Sequence, residues 1–190
     1  LRPQAVAAVS AQAQHTAPGF QARTVEELAL YLHEVGDLTT AEAAARATGE
    51  AAAWLAQLAA QGRIEEINLA TAHGPVRRWV PQELLADYQA APPGDAGAAP
   101  AAGFVGAAAI LRRFLRHSGP VSRDDILARY AFPAAWLESE LARLIAARDI
   151  VQGYFSAAGS EPATDWQVVD RHNLAAMHRR TLTLLRHEVQ

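Results

Sequence analysis

The sequence contains no cysteine and no lysine, and each absence excludes a class of chemistry. Without cysteine there are no disulfides and no thiolate metal sites, and we expect an intracellular, cytoplasmic location. Without lysine there is no phosphate-loop lysine and no Schiff base. Because no stretch approaches the roughly 18 consecutive apolar residues of a membrane helix, we also expect no membrane contact.

The charge balance limits the kind of partner that the chain can bind. All 17 basic residues are arginine, and 20 acidic residues bring the net charge to −3. Affinity for nucleic-acid phosphates rises with the number of neutralised contacts, so a strongly basic, histone-like binder is excluded. Any DNA binding must therefore be local, weak and nonspecific.

The first half of the sequence has the pattern of three helices followed by two strands. Thr24 and Glu27 form a capping box at the start of the first helix, and His73-Gly74 is a hairpin turn between the strands. The predicted elements are Val25–Val35, Ala41–Ala47, Glu50–Gln61, Ile64–Leu69 and Val76–Val80. This order is typical of a winged helix.

The second half repeats the same order and adds a long final helix. Its predicted elements are Ala107–His117, a capped helix ending at Tyr130, Ala134–Ala147, Ile150–Phe155, Trp166–Val169 and Arg171–Val189. Trp54 matches Trp136 on the third helices, and Trp79 matches Trp166 on the second strands. The repeat predicts a mainly α fold (α+β winged helix), with two tandem winged-helix units plus a long C-terminal helix.

The breakers between these patterns divide the chain into five parts. A start at Leu1 rather than methionine suggests a piece of a longer protein. A turn around Gly159 is expected in the second hairpin. We predict a tail of a preceding region at 1–23, a first unit at 24–89, an Ala/Pro/Gly linker at 90–104, a second unit at 105–170 and a basic C-terminal helix at 171–190.

Several short runs resemble large helicase-related (Lhr) proteins in the region that follows their helicase-associated domain. These runs are Gly36-Asp37-Leu38-Thr39, Ala53-Trp54-Leu55, Arg116-His117-Ser118-Gly119-Pro120-Val121, Asp170-Arg171-His172-Asn173-Leu174 and His178–Arg186. The resemblance implies that the whole protein is an ATP-dependent DNA helicase of DNA repair. It implies ATP and Mg²⁺ only for motor domains outside these residues, and no cofactor for this chain.

Arginines rather than the third helices are the candidates for contact with DNA. The third helix of the first unit offers only Gln57 and Gln61 for base readout. That of the second offers Glu138, Ser139, Glu140 and Arg143, and its two glutamates would face phosphates badly. The alternative is that these arginines form an ordinary solvent-exposed face that does not contact DNA. The candidate nucleic-acid-binding residues are Arg77, Arg78, Arg112, Arg113, Arg116, Arg179, Arg180 and Arg186.

Catalytic and metal patterns are weak, so we expect no catalytic residue and no metal in this chain. The 7 histidines show no metalloprotease spacing, and Glu65 and Glu66 point to opposite faces of a strand. A base-excision enzyme of the winged-helix glycosylase type is a third, weaker reading.

We therefore expect an accessory module that helps to hold DNA or to position other domains of the same large chain. The alternative is a protein-interaction or oligomerisation module without DNA contact, and self-association stays open. A continuous arginine track favours DNA, whereas an exposed apolar patch of several hundred Å² favours a protein partner.

Overall fold

The computed structural model describes residues 1–91, 101–155 and 165–188 of the chain. Its helices are α1 Pro3–Ala13, α2 Val25–Val35, α3 Thr40–Ala45, α4 Ala51–Ala60, α5 Leu85–Ala90, α6 Ala101–Arg116, α7 Arg123–Tyr130, α8 Ala134–Ala146 and α9 Arg171–Glu188. Its strands are β1 Ile64–Leu69, β2 Val76–Pro81, β3 Val121–Ser122, β4 Ile150–Gly153 and β5 Gln167–Asp170. The predicted mainly α winged-helix fold is confirmed.

The first unit consists of α2, α3 and α4 followed by the β1–β2 hairpin. Thr24 accepts a hydrogen bond from the Glu27 backbone at the start of α2, while the Glu27 carboxylate accepts from the Arg23 backbone instead of completing the predicted capping box. A full capping box, Thr39 with Glu42, begins α3. β1 and β2 pair antiparallel, and Leu38 adds a single bridge to Trp79.

The second unit repeats this arrangement with α6, α7 and α8 and a sheet of order β3-β5-β4. Ser122 and Asp125 form the predicted capping box at the start of α7. The short strand β3 pairs with β5, in the way that Leu38 pairs with Trp79 in the first unit. The two units therefore share both helix order and strand pairing.

The strand register corrects one part of the tryptophan alignment. Trp54 and Trp136 both lie on the third helix of their unit, on α4 and α8. Trp79, however, pairs with Leu38, and the residue that pairs with the equivalent Val121 is Val168. Trp166 instead lies just before β5. The sequence alignment missed this because a strand pattern does not fix which residue pairs with the neighbouring strand.

The N-terminal stretch, expected as the tail of a preceding region, forms α1 and packs against the C-terminal helix α9. Val6 and Val9 of α1 share a small core with Val169 and Met177. The Arg2 backbone donates to Thr181 of α9 at 3.1 Å. The first and last helices thus form one layer on the second unit.

The predicted linker at 90–104 falls largely on residues 92–100, which lie outside the described residues, as does the predicted turn at Gly159. At its ends the structure differs from the prediction, because Ala90 closes α5 and residues 101–103 already belong to α6. An alanine-rich sequence favours helix without offering much apolar surface, so composition alone did not reveal this early start.

The two units are packed together rather than separated. The β1–β2 hairpin contributes Ile67 and Leu69 to the edge of the second unit's core, and α5 lies on α6. Gly106 of α6 makes that approach feasible, because a Cβ there would lie 2.5 Å from the Asp87 carbonyl oxygen. Within the described residues, no helix is long and apolar enough to cross a membrane.

Candidate nucleic-acid interface

The third helices, α4 and α8, present few free donors to DNA. The outer face of α4 is alanine with Gln57. On α8, Arg143 donates to Glu140 at 2.6 and 2.8 Å, and Glu138 is held by Arg123 at 3.0 Å. Because α4 contains no arginine and Arg143 of α8 is already paired, neither helix has a free arginine for base readout.

All arginines in residues 1–91 form an ion pair or a hydrogen bond within the protein. Residues 1–91 contain 6 arginines and 10 acidic residues, whereas residues 101–190 contain 11 arginines and 9 acidic residues. Arg46 is buried and donates to a backbone carbonyl. The ion pairs of the others are Arg2–Glu188, Arg23–Glu27, Arg63–Glu26, Arg77–Glu66 and Arg78–Asp37.

Arg78 is a correction to the predicted set of DNA-binding residues. It is 4% exposed, and its Nη1 lies 2.5 Å from Oδ2 of Asp37, which is fully buried. Removing it from this partner to reach a phosphate would leave a buried carboxylate without its charge partner. Arg78 is therefore a structural residue of the interface between the units.

Asp37 is the centre of a buried polar cluster that joins the two units. Arg129 of α7 donates to its carboxylate at 2.8 Å, and the Tyr130 and Tyr88 hydroxyls donate at 2.7 and 3.0 Å. Gly36, with a φ of 100°, precedes it, and a Cβ at Gly36 would lie 2.5 Å from the Tyr88 hydroxyl oxygen. Glycine is therefore suited to position 36, because it adopts a positive φ and has no Cβ to collide with Tyr88, and this turn places Asp37 in the cluster.

The cluster shifts the titration of its members. Burial would raise the pKa of Glu42, but the hydrogen bond and charge of Arg129 outweigh burial and lower that pKa to about 2. Burial, and then the charge of Asp37, raise the pKa of the Tyr130 and Tyr88 hydroxyls. At neutral pH Glu42 is charged and the two tyrosines are neutral donors, which agrees with the observed hydrogen bonds.

A second group of arginines has no such partners. Among the residues that the structure describes, several exposed arginines have no carboxylate oxygen within 4.0 Å. They are Arg112, Arg116, Arg148, Arg171, Arg179, Arg180 and Arg186, and all of them are exposed. Every one lies in the second unit or on α9.

Three of these arginines line one cleft of about 530 Å³ between the units. Arg112 and Arg116 come from α6, and Arg171 comes from the start of α9. Arg113 also lines the cleft but is paired with Asp87 of α5. Carboxylates are present as well, at Glu34, Asp149 and Asp170.

His117 adds little positive charge to this cleft at neutral pH. Burial lowers the pKa of His117 below its ordinary value of 6.5. Of the carboxylates, Asp170 accepts hydrogen bonds from the backbone of His172 and Asn173, so its charge is engaged at the start of α9. The three arginines are therefore the groups available to an anion.

The predicted basic face of α9 is exposed but lies apart from the cleft. Arg179 and Arg180 line a separate groove between α1 and α9. Arg186 lies further along the helix and is also exposed. On the apolar side of α9, Met177 is fully buried, whereas Leu185 is 36% exposed because α1 covers only part of α9.

Sequence reasoning missed Arg171 and Arg148 as free arginines, and it missed Asp37, Arg129 and Tyr130 as a cluster. Asp37 carried one signal, since a carboxylate stands directly before the buried Leu38. Arg171 stood in the quoted Asp170-Arg171 run, but its position beside α6 depends on the packing of the units.

Comparison with known proteins places the chain among helicase-related sequences. Residues 1–91 match the family model described as "Large helicase-related protein, winged-helix domain". The whole chain is 30% identical, over 208 aligned residues, to a Mycolicibacterium smegmatis protein named "Lhr helicase/ probable uracil glycosylase". The chain spans 12% of the length of that relative.

Proposed function

Because the chain belongs to the large helicase-related (Lhr) family, we propose that it is an accessory module of an ATP-dependent DNA helicase of DNA repair, where it holds DNA and positions neighbouring domains. The observation that carries this proposal is the separation of free from paired arginines. All exposed arginines that lack a carboxylate partner among the described residues lie after residue 111, and three of them face one cleft.

The cleft supports phosphate contact rather than sequence readout. Arg112, Arg116 and Arg171 supply planar donors of the kind that bind phosphate oxygens in pairs. The acidic first part of the chain repels DNA, so it confines the contact to one side of the molecule. About three phosphate contacts correspond to weak binding whose logarithm falls with log salt at a slope of about 2.7 on duplex DNA.

A titration at several salt concentrations tests the cleft. Replacing Arg112 and Arg116 together by alanine should reduce the slope of log K against log salt by about 1.8 on duplex DNA, because each lost phosphate contact removes about 0.9. Fluorescence anisotropy with a labelled duplex measures the slope, and circular dichroism shows whether the variant is folded. Single-stranded DNA, with about 0.7 per contact, gives a parallel measurement.

The matched control replaces Arg23 and Arg63, which are paired with Glu27 and Glu26 in the first unit. This variant also removes two positive charges but should leave the slope of log K against log salt unchanged. An unchanged slope in a folded Arg112/Arg116 variant would exclude the cleft as a DNA contact and favour the alternative, an interaction module. Exposed Leu182 and Leu185 on α9 are the observation that favours that alternative.

Catalysis is proposed to lie outside this chain. The chain has no lysine, so it cannot supply the lysine of a nucleotide-binding loop. ATP and Mg²⁺ would be bound by motor domains of the whole protein. The purified chain should hydrolyse no ATP, with or without DNA, and reproducible DNA-stimulated hydrolysis would contradict the proposal.

A further inference from the structure

Three side chains from three separate parts of the fold converge beside the cleft. His15 follows α1, Glu34 lies on α2, and His117 follows α6. Each offers one ligand atom, and the three atoms lie within 4.8 Å of one another. Among residues 1–91, 101–155 and 165–188, no other group of three histidine or acidic side chains meets this criterion.

Each of the two imidazole rings is held in place by the surrounding fold. The His15 ring stacks on Tyr31 with centroids 3.7 Å apart, and its Nε2 lies 2.8 Å from Oε2 of Glu34. Nδ1 of His117 lies 3.3 Å from the Ala13 carbonyl oxygen. When Nδ1 donates to that carbonyl, Nε2 keeps its lone pair, which is the tautomer that a metal ligand needs.

We propose that His15, Glu34 and His117 form a binding site for a divalent transition metal ion of the zinc type. Two imidazoles and one carboxylate are a donor set that suits Zn²⁺ and disfavours Mg²⁺, which prefers oxygen ligands alone. Ligand atoms about 2.0 to 2.1 Å from a tetrahedral ion lie roughly 3.3 Å apart. The three atoms now lie within 4.8 Å of one another, so metal binding requires small adjustments of the ligand side chains.

The position of the site gives it a structural consequence. Glu34 and His117 line the cleft, so the fourth coordination position would open toward it. The metal would connect the N-terminal segment, the first unit and the second unit, because each supplies one ligand. Binding only to the folded state stabilises it, so the metal should raise the melting temperature.

The ordinary alternative is a hydrogen-bonded His15–Glu34 pair with His117 as a neighbour that binds no ion. Isothermal titration of the full chain with Zn²⁺ separates the two. The proposal predicts one saturable site, a higher melting temperature with Zn²⁺, and no such response to Mg²⁺. With Co²⁺, it predicts the visible absorption bands of a four-coordinate ion.

Variants locate the site. His15→Ala, His117→Ala and the near-isosteric Glu34→Gln should each weaken Zn²⁺ binding by at least about 10-fold. His33→Ala and His172→Ala are matched controls, because both histidines line the same cleft without belonging to the group of three. Circular dichroism shows whether each variant is folded, and Glu34→Gln tests the site if the histidine variants are not.

Absence of saturable Zn²⁺ binding would overturn the proposal, as would equal losses in the control variants or an unaffected folded Glu34→Gln variant. The metal site and the proposed DNA contact border the same cleft, but they are tested separately. Metal affinity tests the former, whereas the salt dependence of the arginine variants tests the latter.

Discussion

The two winged-helix units use the same strand pairing but different residues at equivalent points. In the first unit, Asp37 and Arg78 stand directly before the paired residues Leu38 and Trp79. In the second unit, Pro120 and Gln167 occupy the corresponding places before Val121 and Val168. The acidic Asp37 and the basic Arg78 thus both correspond to uncharged residues in the second unit. This is expected, because either charge alone would be costly in the interior.

The same contrast extends to the arginines as a group. In the first unit they are held by carboxylates or, for Arg46, by a backbone carbonyl, and in the second unit and α9 many are exposed without a carboxylate partner. A residue type therefore does not define a DNA-binding surface in this protein. What matters is whether a carboxylate lies within reach of each arginine's guanidinium group.

The largest expected effect is on stability, from Asp37→Ala. Loss of this carboxylate leaves the buried Arg78 without its charge partner, leaves Arg129 paired with Glu42 alone, and removes the acceptor of two tyrosine hydroxyls. We expect a loss of about 3 to 5 kcal/mol in the free energy of unfolding, measured by urea denaturation. Asp124→Ala is the matched control in the second unit, since that side chain is 86% exposed and its pair should contribute less than about 1 kcal/mol. A loss below about 1 kcal/mol for Asp37→Ala would contradict the structural role of the cluster.

The next effect is on the pH dependence of stability, through Glu42. Its pKa is lowered from 4.5 to about 2 in the folded protein, so its stabilising contribution is fully present above about pH 4.5. That contribution is lost as the pH falls toward 2, and it amounts to about 3 kcal/mol at most. Denaturation at several pH values should show a shallower pH dependence between 4.5 and 2 for Glu42→Gln. Equal pH dependence in wild type and variant would show that Arg129 does not hold Glu42 in its charged form.

A moderate effect is expected on DNA binding from the basic face of α9. Replacing Arg179 and Arg186 together by alanine should reduce the slope of log K against log salt by about 1.8 on duplex DNA and about 1.4 on single-stranded DNA, because two phosphate contacts are lost. The helix should persist, because both are exposed and alanine is the better helix former. Thr183→Ala, on the same exposed face, changes no charge and serves as the control. An unchanged slope in the folded double variant would leave these arginines as a solvated face.

The smallest effect is expected from Arg77→Ala. Arg77 is exposed on β2 but pairs with Glu66 at 3.5 Å, and the wing carries Glu65 as well. Stability should change by less than about 1 kcal/mol, and the salt slope by much less than the roughly 0.9 of a full phosphate contact. A fall of about 0.9 would instead restore the first wing to the DNA-binding surface.

Much of the fold was predictable because it depends on local sequence. The capping box at Ser122 and the apolar spacing of the helices depend on residues within a few positions of each other. The predicted helix Val25–Val35 and strand Ile64–Leu69 agree with the structure at both ends. The N-terminal helix α1 was missed as part of the fold, because its partner α9 lies at the other end of the sequence.

The candidate site was predictable only in part. Five of the proposed arginines are exposed and have no carboxylate partner among the described residues: Arg112, Arg116, Arg179, Arg180 and Arg186. Arg77 and Arg113 are paired and Arg78 is buried, which the spacing of residues along the chain does not show.

By itself, the sequence determined the order of helices and strands, the repeat and the absence of lysine and cysteine chemistry. The tertiary structure decided which charges are free. Asp37 lies 41 residues from Arg78 and 92 from Arg129, and only folding brings the three together. The strength of an ion pair depends on distance and on exclusion of water, and both are properties of the packed units rather than of the sequence pattern.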